Sequence, residues 1–299
     1  QVVLPPASAT NYIEALLGTC RENQDRAVFP GSEAELIAIS AQRVPFIESG
    51  ILLPINRSEI INLCLDKLVL MDRLVQLGFP VPAYKGFTLA EEIENFPHYP
   101  AVIKPATGGG GSALCALAFG KEDAIVASRL IQKAGIRGII QAYIGKPDSE
   151  YTVGILHDLD GQFINSIALR REILGALSNR IKVRNPSGNP VFGSHFAISN
   201  GVSQGQIGAF PEVCGPCEKI ADALGSIGPL NIQCRVEDGM PMTFEINPRY
   251  SGTSSMRAMV GFNEAEIILR RHLLGETIPP RPLYREARIL RSLEEIAVS

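Results

Sequence analysis

The sequence predicts an α/β protein: an α+β body preceded by part of a parallel-sheet domain. Two observations carry this. The first 56 residues alternate short apolar runs with stretches of helical period, and the region from about 99 to 247 is dominated by strand-like segments joined by turn residues. Amphipathic helical stretches at 57–82, 211–228 and 263–275 supply the cover that such sheets need.

Taken in order, "VVLPP" (2–6) is a short apolar run stopped by prolines, and "NYIEALLGTC" (11–20) has apolar residues at helical spacing. "RAVFPGS" (26–32) reads as a second short strand ending in a Pro-Gly turn, "EAELIAISAQRVPFIESG" as helix, and "ILLPI" (51–55) as a third strand. Strand, helix, strand, helix, strand implies a parallel sheet. Three strands are few for a doubly wound domain and the chain opens on Gln1, so the expectation is the back half of one, with further strands upstream. In "RSEIINLCLDKLVLMDRLVQLGFPVP" (57–82), Ser58 is the expected N-cap of a helix, followed by a longer amphipathic stretch to Gly78 and closing prolines. "AVIKPATGGGGSALCALAF" gives strand, glycine run and strand; "GIIQAYIG", "EYTVGILHD", "GQFINSIALRRE", "RIKVRNP" and "HFAISNG" continue the β-rich character. "PEVCGPCEKIADALGSIG" (211–228) is a helix ending at glycine, followed by strands "NIQCRV" and "MTFEIN" and a last helix over "NEAEIILRRHLLG".

The bulk numbers narrow the class. The chain has 299 residues, 45% hydrophobic and 20% charged, an ordinary globular balance. A net charge of −3 without long blocks of one sign argues against nucleic-acid or acidic-membrane partners held by bulk electrostatics. Six scattered cysteines suggest free thiols in a reducing, cytoplasmic compartment, and "CGPC" (214–217) is read as packing at a helix start rather than redox chemistry. No apolar run approaches the ~18 residues of a membrane span.

The segment "NIQCRVEDGMPMTFEINPRYSG" carries chemistry. As a hairpin it puts Asn231, Gln233 and Arg235 on one face, and Thr243, Glu245 and Asn247 on one face of the second strand. A two-residue turn at Asp238-Gly239 would mismatch the polar faces, so a three-residue loop, 238–240, is expected, setting Gln233 opposite Glu245 and Asn231 opposite Asn247. One carboxylate and two carboxamides are either a solvated strand face or oxygen ligands for a cation that arrives with a nucleotide. "PRYSGTSS" weighs toward the second reading, because Arg249 stands beside small residues and backbone N–H groups that suit an anion. In "IKPATGGGGSA", Lys104 precedes four glycines, 108–111; the loop is a flexible hairpin tip or a lid over phosphates, and not a P-loop, since no Gly-Lys-Ser/Thr follows. "SNRIKVRNP" places Arg180, Lys182 and Arg184 on one face after Arg170-Arg171. This is a solvated basic strand, or one from which Lys182 or Arg171 steadies a phosphate or a substrate carboxylate. His195 is read as structural, and Ser251, Thr253 and Ser254 as candidates to line an acceptor pocket.

In this order the segments "LDKLVLMDRLVQLGFPVP", "AVIKPATGGGGS", "IIQAYI…EYTVGIL", "NIQCRV" and "FEINPRYSG" resemble the ATP-grasp superfamily, within it the ligases similar to the carbamoyl-phosphate synthase large subunit. The resemblance runs over about 57–277. It implies three parts: a partial pre-ATP-grasp domain (1–56), linker helices with a small nucleotide-lid subdomain (57–150), and a large subdomain with the metal and substrate site (151–299). It further implies that Lys67 and Lys104 contact ATP phosphates, and that Gly109, Gly110, Gly111 and Ser112 close over them. Gln141, Ala142, Tyr143 and Ile144 would hold adenine through the backbone, although relatives often carry glutamate where this chain has Ala142. Glu150 would take the ribose hydroxyls. Gln233, Glu245 and Asn247 would bind Mg2+ or Mn2+, and Arg249 the acyl phosphate or carboxylate. The implied activity is ADP-forming ligation of a small carboxylate to an amine or similar nucleophile, in a protein of a family that commonly forms homodimers. Phosphorylation of bicarbonate or carbamate and a non-catalytic nucleotide-binding module are the competing readings.

Overall fold

The structure, a computed structural model, describes residues 2–108, 114–175 and 177–295. Three helices open the chain: α1 (Tyr12–Asn23), α2 (Glu33–Ala41) and α3 (Val44–Glu48). Ser32 caps α2 by accepting from Glu35 N–H. The single helix expected over 33–50 is two, because Pro45 cannot continue α2 and instead sits in the first turn of α3. Tyr12, Leu16, Leu36, Ile39, Phe46, Ile55 and Ile61 form one apolar cluster here. The expected parallel sheet is reduced, among the described residues, to one bridge, Ala27 with Leu52, and residues 2–6 form no strand. Pro5, Pro6, Pro30 and Pro54 explain the shortfall, since each lacks the N–H that a ladder requires. Asn56, fully buried, fastens this part to the rest. Its Nδ2 donates to the Pro229 carbonyl at 2.7 Å, and its Oδ1 accepts from Ser226 Oγ and Ile227 N–H.

Next come α4 (Ser58–Leu65) and α5 (Lys67–Gln76). Ser58 is the first helical residue rather than the cap, and the break falls at Asp66, whose carboxylate accepts from the N–H groups of Leu68 and Val69 and so caps α5. β1 (Tyr84–Phe87), β2 (Ala101–Pro105), β3 (Ala116–Ala118), α6 (Lys121–Lys133) and β4 (Gly138–Ala142) follow, the strands making an antiparallel sheet ordered β1-β4-β2-β3 with α6 packed on it.

The larger sheet uses β5 (Glu150–His157), β6 (Phe163–Arg171), β9 (Gly205–Gly208), β10 (Pro229–Glu237), β11 (Met240–Asn247) and β12 (Ala287–Ile289), in the order β11-β10-β5-β6-β9-β12. Between β6 and β9, β7 (Asn179–Arg184) and β8 (His195–Ser199) pair with each other as a separate arm. α7 (Pro211–Leu224), closed by left-handed Gly225, packs on one face of the large sheet against Tyr151, Val153, Ile155, Leu230 and Ile232. Cys214 and Cys217 belong to that core, burial pushes the Cys214 thiol up to about 12, and all six cysteines are free, so "CGPC" serves packing. α8 (Ser254–Met259) and α9 (Glu264–Leu274) lie on the other side. Among the described residues no helix is long and apolar enough to cross a membrane.

The β10–β11 hairpin reaches the expected register by another route. Gln233 pairs with Glu245 and Asn231 with Asn247, but Glu237 pairs with Met240, so the turn has two residues, Asp238 and Gly239, both left-handed (φ 50° and 77°). A bulge at Phe244, between the pairs Cys234–Thr243 and Gln233–Glu245, supplies the extra residue. Thr243 therefore goes with Cys234 into the core, fully buried, and does not share the face of Glu245. Phe244 takes its place, and both bulge residues line the same cavity.

Candidate functional site

Two cavities meet at Gln233 and Glu245, one between the small sheet and the large one, the other between the large sheet and the α4–α5 junction. The less polar one, about 90 Å3, is walled by Val102 and Lys104 of β2, by Gln141, Ala142, Tyr143 and Ile144 at the end of β4, and by Ile198, Ser199, Phe244 and Glu150. The other, about 140 Å3, is strongly polar. Lys67, Arg171, Asn231, Asn247, Arg249, Ser251 and Thr253 line it. A small space lined by Lys67, Lys104, Gly108 and Cys115 also reaches Gln233 and Glu245. The sequence-predicted residues Lys67, Lys104, Gln141–Ile144, Glu150, Arg171, Gln233, Glu245, Asn247 and Arg249 are thus brought together. Gly109, Gly110, Gly111 and Ser112 lie outside the described residues. Lys182 is not brought in: it is exposed on β7 and its Nζ donates to the Leu174 carbonyl at 3.0 Å. His195 and Ser254 line neither cavity; Ser254 Oγ donates to Glu264.

The strands explain the placement. β5 presents Glu150 and Thr152 to the cavities while Tyr151 and Val153 face α7, by simple alternation. Lys104 reaches past β2 to donate to the Phe244 carbonyl at 3.2 Å, with its ammonium 5.4 Å from the Phe244 ring centre. Burial pulls its pKa down; Glu245 opposes that and Lys67 adds to it. Lys67, at the start of α5, donates to the Gly108 carbonyl at 3.2 Å, at the edge of the glycine run. Burial would raise the Glu245 carboxyl, but Lys67 and Lys104, then Asn247 and Arg249, hold it below the usual carboxylate range. Asn247 Nδ2 donates to Glu245 Oε1 at 3.2 Å, and Arg249 donates to the Tyr250 carbonyl at 3.0 Å. Gln233, Glu245 and Asn247 present one carboxylate and two carboxamides on adjacent strands. That is a hard-oxygen set too weakly charged to cage a metal alone, and it fits Mg2+ or Mn2+ carried in by phosphates.

Glu150 stands differently from the expectation. Its oxygens are held by two buried guanidinium groups, Arg171 Nη1 at 2.7 Å and Arg235 Nε at 2.9 Å. Burial raises its carboxyl, yet Arg235 and Arg171 bring it below the ordinary range. Arg235 also donates to the carbonyls of Ile144 and Ala197 and lies 4.4 Å from the Tyr143 ring centre, so one side chain joins three walls of the less polar cavity. Arg171 donates to Ser199 Oγ and to the Asn200 carbonyl, tying β6 to the loop after β8. It thus acts by positioning that loop as well as by lining the polar cavity.

Sequence reasoning missed three participants. Arg257, almost fully buried, pairs with Glu264 and donates to Asn231 Oδ1 at 2.6 Å; Gly154 makes room, since a Cβ there would lie 2.1 Å from its Nη1. Arg291, in the tail beyond β12, donates to the Ser203 and Gly252 carbonyls and so ties together two loops that edge the polar cavity. Glu33 of α2 lines that cavity too. A second oxygen cluster, Asp158, Asp160 and His272, is a poor metal site. Asp158 Oδ2 lies 2.5 Å from Arg271 Nε, and His272 Nε2 accepts from Leu159 N–H.

Residues 199–293 match the family model described as ATP-grasp in the biosynthetic pathway with Ter operon. No curated protein matches the chain by sequence. Among solved structures, biotin carboxylase from Campylobacter jejuni in a β,γ-ATP complex is similar with a TM-score of 0.65 and 17% identity, over 92% of this chain and 60% of that one. N5-carboxyaminoimidazole ribonucleotide synthetase in an ADP complex gives 0.64 and 15%, over 93% and 68%. D-alanine–D-alanine ligase from Bacillus anthracis, complexed with ATP, gives 0.56 and 15%, over 89% and 82%. The chain spans about 60% of the length of the biotin carboxylase. Its fold is the ATP-grasp fold, a mixed α/β architecture with antiparallel sheets.

Proposed function

We propose that the chain is the nucleotide-binding and phosphoryl-transfer part of an ADP-forming ligase, which activates a small carboxylate as an acyl phosphate for attack by an amine or similar nucleophile. The observation that carries this is the meeting of two chemically different cavities at Glu245. One is lined mainly by apolar surface, as a purine requires, and the other is rich in donors, as a carboxylate requires. Structural relatives described with ATP or ADP support the nucleotide assignment.

In this reading residues 57–150 carry the nucleotide lid and 151–299 the metal and acceptor sites. Adenine lies against 141–144. The Ala142 and Tyr143 N–H groups are already bonded to the carbonyls of Ala83 and Pro100, so base recognition through this segment's amides falls to Ile144. Lys67 and Lys104 face the phosphates. Gln233, Glu245 and Asn247 would hold a divalent cation, which when bound neutralises phosphate charge. Arg249 faces the acid. A carboxylate is already nucleophilic, so no general base is needed: its oxygen forms a bond to the γ-phosphorus as the bond to ADP breaks. Catalysis is positioning and charge neutralisation, because two anions must meet. Attack by the amine on the acyl phosphate then releases phosphate.

Incubation with Mg-ATP and pools of acids and amines, with hydroxylamine present, should give ADP, phosphate and a hydroxamate. Glu245→Ala should lose this turnover while remaining folded by circular dichroism. Formation of AMP, or nucleotide binding without turnover in any pool, would overturn the ligase reading, the latter in favour of a sensing module.

A further inference from the structure

The polar cavity contains an anion that the ligase reading does not use. Glu33, the first residue of α2, lines the same cavity as Arg249, Asn247 and Ser251. It is held there from outside the ATP-grasp core: the Phe29 ring packs 5.5 Å from that of Tyr250, next to Arg249, bringing the turn 30–33 against the loop that edges the cavity. The same helix, α2, carries Glu35, whose carboxylate is committed within the N-terminal helices, accepting from Tyr12 Oη, Gly31 N–H and Ser32 Oγ. Glu33 has no hydrogen bond or ion pair of its side chain among the described residues.

The charges on the cavity wall are therefore divided. Glu245 faces Lys67 and Lys104, and Arg171 is spent on Glu150. Arg249, whose pull on Glu245 ranks after that of both lysines, and Glu33 remain as groups of opposite sign, with neutral donors and acceptors such as Asn200, Ser251 and Thr253 beside them. A simple carboxylate would satisfy Arg249 and leave Glu33 facing a like charge, which disfavours binding. A zwitterion satisfies both.

We propose, resting on the ligase reading above, that the acid activated at this site carries a protonated amine: an amino acid or related ammonium carboxylate, with its carboxylate toward Arg249 and its ammonium on Glu33. Pairing with Glu33 also keeps that amine protonated. It is therefore not the nucleophile; a second amine is, and it loses its proton as it attacks the acyl phosphate.

The test uses the protein saturated with Mg-ADP and titrated calorimetrically with the proteinogenic amino acids and with their N-acetyl and deaminated counterparts. One or more amino acids should bind about 10- to 100-fold more tightly than their counterparts lacking the ammonium, the range expected for a charged hydrogen bond. Glu33→Gln should erase that preference without changing Mg-ADP affinity. Equal binding of both kinds, a preference that survives Glu33→Gln, or no binding of any acid to the Mg-ADP form would each overturn the assignment of Glu33. Failure of Mg-ADP itself to bind would instead overturn the nucleotide site on which both proposals stand.

Discussion

Glu150→Gln removes one charge from a buried ionic group that walls the site. Glu150, Arg171 and Arg235 are 2%, 3% and 6% exposed, and the carboxylate is shared between the two guanidiniums at 2.7 and 2.9 Å. Without it, two buried cations lose their counter-ion, and breaking a buried pair in this way costs about 3–5 kcal/mol. For a chain of this size that lowers Tm by roughly 5–8 °C. The pH dependence has a definite sign. The folded-state pKa of Glu150 is depressed, so its contribution is fully present above the unfolded carboxylate value of about 4.3 and is lost as pH falls through the lower folded value. The gap between wild type and Glu150→Gln should therefore be widest near neutrality and shrink below about pH 4. Because Arg235 also holds Ile144, Ala197 and Tyr143, the variant should bind Mg-ADP about tenfold more weakly as well. Thermal unfolding across pH and calorimetric ADP titration measure both effects. A loss under about 1 kcal/mol at pH 7, or a gap that grows toward acid, would refute the ionic account.

Gly154→Ala should be severely destabilising for a β-strand substitution, by about 3–5 kcal/mol, because its methyl would displace the Arg257 guanidinium and strand Glu264 in the core. Urea unfolding should show a lower midpoint at unchanged slope. Arg291→Ala, at an exposed position, should leave stability within about 1 kcal/mol while raising the acceptor KM several-fold at constant ATP KM, since it frees the loops at Ser203 and Gly252. Equal effects on both KM values would count against a role confined to the acceptor side.

The β-rich body and most of the site were legible because their signals are local: alternation in "EYTVGIL", the helix-ending glycines, and oxygen-bearing side chains on a hairpin. The hairpin register survived a mistaken loop because a two-residue turn plus a bulge has the same parity as a three-residue loop. Thr243 was misplaced for the same reason, as a bulge is invisible to period-two reasoning. A similar irregularity between Asn179 and Ile181 breaks the alternation on which the basic face of β7 was argued. Pairs made across long sequence separations, Glu150 with Arg235 or Arg291 with Gly252, leave no periodic trace. Glu33 was hidden because it looks like any acidic residue in a helix's first turn, and only the packing of Phe29 on Tyr250 carries it to the cavity.

Crystals grown with ADP and manganese, measured at a wavelength where manganese scatters anomalously, test the centre of the account. The anomalous peak should lie about 2.1 Å from a Glu245 carboxylate oxygen, between Gln233 and Asn247, with nothing at Asp158, Asp160 and His272. Manganese bound at the second cluster with the Glu245 face left bare would contradict it.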